Sequence, residues 1–155
     1  MGDEIIFPSQ WVTGDAFDRA LKSNPLQSSD SSVKIELPES CKVMVDAGAR
    51  ILSFANQLQS IGKRVLLQFT EGESGTMGYL DRMGFFDSLH PDIQVKPERP
   101  SVSAAKIFKG SNQNLVEYAP IKPDRPDNGL PAKLKNSLSE AVSDRLDHNV
   151  LTNTA

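Results

Sequence analysis

Alternation between apolar and polar residues predicts several short strands in the first half of the chain. Residues 4–7 predict one short strand, and residues 33–37 alternate with a period of two, as in a half-buried strand. A second run follows at residues 42–45, after a turn predicted at residues 38–40. Residues 65–69 are almost continuously apolar, which is typical of a strand buried on both faces of a parallel or mixed sheet.

Helical periodicity begins after the run at residues 42–45. Its apolar face comprises Ile51, Leu52, Ala55 and Leu58. Asp46 stands where an N-cap is expected, and Gly62 is placed to end the helix. Residues 15–22 predict a shorter helix, in which Phe17 lies four positions before another apolar residue. The order of strand, helix and strand predicts a crossover unit of an α/β fold.

A further helix is predicted to close at Gly84. If Gly84 is left-handed, Leu80 and Phe85 take the two positions whose side chains meet in a Schellman cap. Residues 93–95 then predict another strand. Together these patterns predict an α/β domain with a mixed sheet of four to six strands and flanking helices. One core is expected to contain Leu52, Leu58, Leu66, Phe69, Leu80 and Phe85.

The charge balance changes near Pro97. Residues 1–95 carry eight basic and thirteen acidic side chains, whereas residues 96–155 carry nine basic and seven acidic ones. We therefore predict an α/β domain of residues 1–97, followed by a C-terminal extension of residues 98–155.

The extension has three predicted parts. Residues 114–118 predict a strand, and the proline-rich residues 120–131 predict an extended linker. Residues 132–147 predict an amphipathic helix, whose apolar stripe contains Leu134, Leu138, Val142 and Leu146. Such a stripe needs a partner surface. Two alternatives remain open, packing on the chain's own domain or pairing with the same helix of a second copy in a homodimer.

Composition and charge narrow the class of protein. The 155 residues carry a net charge of −3, so no basic field is present to bind nucleic acid. The single cysteine, Cys41, fits a small packing residue in a reducing compartment. No apolar run approaches the length of a membrane span, and the amino terminus is acidic where a signal peptide is basic. The sequence predicts a cytoplasmic protein without a membrane or nucleic-acid partner.

Few residues suggest catalysis. Residues 72–76 lie between a predicted strand and helix and resemble a G-x-S-x-G nucleophile elbow around Ser74, but the fifth residue is Thr76 rather than Gly. A histidine base would have to be His90 or His148, and neither has a distinctive neighbour. No histidine or cysteine partners stand at metal-ligand spacing, so neither metal nor cofactor is expected. A small hydrolase using Ser74, or the acids Glu71 and Glu73, is one alternative function, and a small-ligand or nucleotide sensor is another.

Two strings carry a resemblance to a known family. The second apolar run continues into Val45-Asp46-Ala47-Gly48-Ala49-Arg50-Ile51-Leu52, and the later helix contains Tyr79-Leu80-Asp81-Arg82-Met83-Gly84-Phe85-Phe86. With the order of elements over residues 33–97, these strings resemble the STAS domains of sulfate transporters and anti-sigma-factor antagonists. The likeness is closer to the STAS-like segments that precede histidine-kinase-like ATPase domains in bacterial signalling proteins.

The resemblance implies a non-catalytic protein–protein interaction module of a bacterial signalling or regulatory system. The implied partner is a histidine-kinase-like ATPase, docked on the loop and helix face that contains Asp46, Ala47, Gly48 and Arg50. In the antagonists a hydroxyl of this loop is phosphorylated, whereas here no hydroxyl occurs before Ser53. A second predicted contact surface, suited to a partner or to homodimerisation, contains Leu134, Leu138 and Val142.

Overall fold

A computed structural model of the chain describes residues 2–22, 24–72 and 74–108, together with the single residues 118, 124, 131, 132, 135 and 139. Strands and helices alternate through the described part, so the predicted α/β class is confirmed. The strands are β1 Asp3–Ile6, β2 Trp11–Val12, β3 Ser32–Leu37, β4 Lys42–Val43, β5 Arg64–Phe69 and β6 Gln94–Lys96. The helices are α1 Gly14–Ala20, α2 Val45–Ser60, α3 Thr76–Arg82, α4 Phe85–Ser88 and α5 Ala104–Phe108.

Four strands form the main sheet, in the order β1-β3-β5-β6. All of its pairs are parallel, and so is the separate pair of β2 with β4, where a mixed sheet was expected. The run after residues 38–40 does not return beside β3, because β1 and β5 already occupy both edges of that strand. Instead β4 moves away to pair with β2, and α2 then begins beside this small sheet.

The core lies between the main sheet and its helices. Five of the six predicted core residues are buried, and Leu58, Leu80 and Phe85 are fully so. Leu66 is only half-buried, so its predicted place in the core is wrong. Successive side chains of a strand point to opposite faces, and in β5 the buried face belongs to Val65 and its i+2 neighbours.

Helix α2 begins two residues earlier than predicted. Met44 is its N-cap residue and makes no side-chain cap hydrogen bond, so the predicted capping role of Asp46 is wrong. Asp46 lies in the first turn instead, where a carboxylate interacts favourably with the helix dipole. At the other end the prediction is confirmed, since Gly62 follows the helix with a φ of 84°.

The predicted cap after α3 is also confirmed. Gly84 has a φ of 79°, and its N–H donates to the Asp81 carbonyl oxygen at 3.0 Å. This is one of the two hydrogen bonds of a Schellman motif. Leu80 and Phe85, on either side of the turn, are both fully buried. The turn thereby joins α3 to α4 within the core.

Contacts cross the predicted boundary at residue 97. The Arg99 guanidinium donates to the carbonyl oxygens of Leu89, His90 and Ile93, at 3.4, 2.7 and 3.0 Å. Further along, the Ala104 N–H donates to the Asp81 carboxylate at 3.2 Å, at the start of α5. The first residues of the extension thus pack on the α/β unit.

Most of the remaining extension lies outside the described residues. This applies to Leu134, Leu138 and Val142, and to the predicted strand except Tyr118. Within the predicted C-terminal helix, Ala132, Lys135 and Ser139 are helical and exposed. Over the part of the chain that the structure describes, no helix has the length and apolar character needed to cross a membrane.

Candidate functional site

A concave surface with apolar walls lies where the small sheet meets the first turns of α2 and α3. We call it the Trp11 groove, and it has a volume of about 830 Å³. Its lining comprises Ser9, Gln10, Trp11, Ser40, Cys41, Lys42, Val43, Met44, Val45, Glu71, Ser74, Gly75, Thr76 and Tyr79. Four separate stretches of chain therefore meet in this groove.

Exposed apolar side chains give the Trp11 groove its character. Trp11 is 58% exposed, Met44 43% and Val45 38%. The Lys42 ammonium lies 5.5 Å from the centroid of the Trp11 ring, which is cation–π distance. Large apolar side chains grouped around one concavity are the usual mark of an interaction surface, whereas scattered ones are not.

Cys41 forms part of the groove floor. It is 2% exposed, and its carbonyl oxygen accepts a hydrogen bond from the Thr76 hydroxyl. Burial, together with the nearby Glu71 carboxylate, raises the pKa of the Cys41 thiol to about 11. Only a thiolate acts as a nucleophile or metal ligand, and at neutral pH this thiol stays protonated. Its place in the groove is therefore that of a packing residue, as the sequence suggested.

Ser74 also lines the groove, but the structure does not join it to a base. His90 is exposed, and its Nδ1 accepts the backbone N–H of Asp92 at 3.2 Å. Among the described residues, no hydrogen bond connects Ser74 with His90, and His148 and Glu73 lie outside those residues. The same described residues contain no group of histidine, cysteine and acidic side chains able to hold a metal ion.

The predicted docking positions on α2 divide into exposed and buried ones. Asp46 and Arg50 are exposed, and the Arg50 guanidinium pairs with the Asp18 carboxylate at 3.1 Å. Ala47 is 0% exposed and Gly48 is buried, because both face the interior of the domain. Ala47 and Gly48 therefore serve the packing of α2, and only the exposed pair can contact a partner directly.

Tyr118 covers the first turn of α2. Its hydroxyl donates to the Val45 carbonyl oxygen at 2.8 Å, and its N–H donates to the Met83 carbonyl oxygen at 2.9 Å. Burial raises the pKa of the Tyr118 phenol to about 12, with smaller contributions from Tyr79 and Asp46. The phenol is therefore a stable hydrogen-bond donor at neutral pH. It ties the C-terminal extension to a residue that lines the Trp11 groove.

Gly48 is required for this contact. A Cβ at Gly48 would overlap the Tyr118 hydroxyl and come within 3.3 Å of Leu80 Cδ2. The small-residue run at the start of α2 therefore has a packing function, which sequence reasoning assigned to partner docking.

Replacing Gly48 with alanine should displace Tyr118. At a solvent-exposed position inside a helix this change would stabilise the protein by roughly 1 kcal/mol, because alanine has the higher helix propensity. Overlap with the Tyr118 ring should reverse the sign and lower the free energy of unfolding, measured by urea denaturation. The double variant Gly48→Ala/Tyr118→Ala is the control, since without the ring the alanine should cost less. Equal costs in the two backgrounds would contradict the contact.

Sequence reasoning missed most of the groove. Trp11, Met44 and Tyr79 were not singled out, although the only tryptophan of the chain, next to a proline-interrupted run, was an available signal. A second depression, of about 660 Å³ at the amino ends of β1, β3 and β5, has a different character. There the Lys34 ammonium pairs with the Glu4 carboxylate at 2.7 Å and with the Glu36 carboxylate at 2.6 Å, so the charge of Lys34 is paired within the chain.

Comparisons with known proteins identify no relative of this chain. No protein-family model, no curated protein and no solved structure matches the chain. The resemblance to STAS-like segments stays a prediction from the sequence.

Proposed function

We propose that this chain is a non-catalytic protein–protein interaction module, and that the Trp11 groove is its contact surface. The observation that carries the proposal is the grouping of Trp11, Met44 and Val45, all exposed, around one concavity. Aromatic residues and methionine are enriched in the centres of protein interfaces, where their burial supplies most of the binding energy.

The polar groups of the groove support the same function. Lys42 and Glu71 give it one charge of each sign, and Ser9, Gln10 and Ser40 place uncharged polar groups in its lining. An apolar centre with a polar surround is the usual anatomy of a specific interface. Asp46 and Arg50, the exposed positions of the predicted docking face, lie on the helix that starts at the groove. We propose that they form part of its rim.

The STAS-like resemblance supplies the proposed context. It suggests a bacterial signalling or regulatory system, located in the cytoplasm, with a histidine-kinase-like ATPase as partner. In that context the module acts by binding and release rather than by chemistry.

The test uses two matched charge substitutions on the full chain. Trp11→Glu places a charge in the groove, whereas Ile61→Glu does so at an apolar residue that is 52% exposed beyond the far end of α2. Each immobilised variant is exposed to extract of the source cells, and retained proteins are quantified by mass spectrometry. A partner should be retained by the native chain and by Ile61→Glu, and depleted roughly tenfold or more by Trp11→Glu.

The two variants must first show the same thermal unfolding midpoint as the native chain. A retained protein that binds all three chains equally does not use the groove. If every retained protein behaves in this way, the proposed contact surface is wrong.

A further inference from the structure

We propose that the Trp11 groove receives an arginine side chain of its protein partner, whose guanidinium pairs with the Glu71 carboxylate while its methylene stem lies against the apolar wall. This inference rests on the proposed function, because it names the chemistry of the segment that the same groove binds. It makes Glu71 the residue that selects a basic partner segment over a neutral or an acidic one.

The Glu71 carboxylate has no cation of its own. Glu71 is half-buried in the groove lining, and among the residues that the structure describes no ion pair or hydrogen bond engages its carboxylate. The Lys42 ammonium of the same lining lies over the Trp11 ring instead. Burial and then the Glu71 charge raise the pKa of the Cys41 thiol, so this charge acts at the groove floor. A carboxylate partly removed from water gains most from a cation that can donate charge-assisted hydrogen bonds.

The Glu71 side chain lies directly against the backbone of Gly75. A Cβ at Gly75 would overlap the Glu71 carboxylate, so the absence of a side chain at Gly75 leaves room for it. Gly75 is the N-cap residue of α3. Because no hydrogen bond engages the carboxylate, Glu71 does not cap this helix, and its charge stays available to a partner.

The walls of the groove suit arginine in particular. Trp11 and Tyr79 place aromatic rings in the lining, and the guanidinium is the cation that stacks on aromatic faces and is weakly hydrated. Met44 and Val45, both more than a third exposed, offer apolar cover for the methylene stem. The hydroxyls of Ser74 and Tyr79 lie in the same lining, where they offer acceptors for the N–H groups that the carboxylate leaves free.

The charges around the groove also favour a basic partner. Glu39 adjoins the lining and Asp46 stands in the first turn of α2, and both are exposed. Together with Glu71 they outnumber the basic residue of the lining, Lys42. The Arg50 guanidinium, farther along α2, is already paired with an acid. An excess of acidic side chains around a concave surface attracts a cationic segment and repels an acidic one.

Trp11 is the single tryptophan of the chain, so its fluorescence follows the occupancy of the groove. The full chain is titrated with the acetylated and amidated peptide Leu-Ala-Arg-Ala-Leu, and with the same peptide carrying citrulline, which keeps the shape of arginine and removes its charge. The arginine peptide should bind roughly tenfold or more tightly than the citrulline peptide. In full-length Glu71→Gln this preference should disappear. Glu98→Gln, the matched change at an exposed acid after β6, should keep it.

Thermal unfolding separates recognition from a structural role of Glu71. Glu71→Gln keeps the shape of the side chain and loses no ion pair, so its unfolding midpoint should equal that of the native chain or exceed it. A lower midpoint together with an unchanged peptide preference would show that Glu71 serves the fold, and the proposal would be wrong.

Three further results would overturn the proposal. One is the absence of a saturable change in Trp11 emission with the arginine peptide in the millimolar range. Another is a preference for arginine that persists in Glu71→Gln. The third is N-acetylarginine amide binding as tightly as the peptide, because the ligand would then be a small cation rather than a partner segment.

The proposed function can fail separately. Partner capture that is lost in Trp11→Glu but kept in Glu71→Gln, with equal affinity for the two peptides, would keep the contact surface and remove the arginine. A preference for arginine that depends on Glu71, without any captured partner, would support the arginine site and contradict the proposed function.

Discussion

Replacing Leu67 with alanine should lower the free energy of unfolding by about 2–5 kcal/mol, because a large side chain is lost from a site that cannot collapse. Leu67 is 0% exposed and lies in β5, which has a paired strand on each side. Its register partners are Ile35 on β3 and Val95 on β6. Equilibrium unfolding in urea, followed by circular dichroism, gives the change directly.

Leu66→Ala is the matched control for this measurement. It removes the same atoms from the same strand, one position away, from a side chain that is only half-buried. The loss in the free energy of unfolding should therefore be clearly smaller than for Leu67→Ala, because folding buries less apolar area at Leu66. Equal costs would show that both faces of β5 are buried to the same depth, contrary to the structure.

The features predicted most accurately from the sequence are those that a single short stretch of chain determines. Gly62 and Gly84 were placed after helices because glycine adopts a positive φ without steric cost, and both have that conformation. Strand β3 was predicted from its alternation alone. The predicted start of α2 was wrong by two residues, because the apolar pair Met44 and Val45 continues the pattern of the preceding strand into the helix.

Strand pairing depends on residues distant in sequence and was predicted less well. The turn predicted at residues 38–40 does not identify the partner of the run that follows it, and β4 pairs with β2. Strands β2 and β4 have only two residues each, too short for a period of two to be recognised. The apolar run of β5 indicated a parallel or mixed sheet. That every pair of the main sheet is parallel depends on which strands meet, and no local pattern contains that information.

The same reasoning explains why the Trp11 groove was missed. Its walls come from residues 9–11, 40–45, 71, 74–76 and 79, which meet only when β2 is paired with β4. The resemblance to STAS-like segments did predict a partner-docking face at the adjacent first turn of α2. It could not show that Gly48 is covered by Tyr118, a contact between residues 70 positions apart.

Phe85→Ala should destabilise the protein at least as much as Leu67→Ala, with an expected loss of about 3–5 kcal/mol in the free energy of unfolding. Phe85 is 0% exposed, and its ring packs edge-on against Phe86 with the centroids 5.3 Å apart. It follows Gly84 directly, so its burial depends on the left-handed turn that joins α3 to α4. The change removes a large ring from the core and one side of the hydrophobic contact of the cap.

The control for Phe85→Ala is Ile107→Ala, in α5, where the side chain is 63% exposed. That change should stay within about 0.5 kcal/mol, as is usual for surface substitutions. Phe85→Leu keeps most of the apolar volume and should fall between the two. If Phe85→Ala cost less than about 1 kcal/mol in the same urea titration, the corner between α3 and α4 would unfold independently of the main sheet. The Tyr118 N–H donates to the Met83 carbonyl oxygen beside this corner. Such a result would therefore also mean that the contact of Tyr118 with Met83 is lost without unfolding of the main sheet.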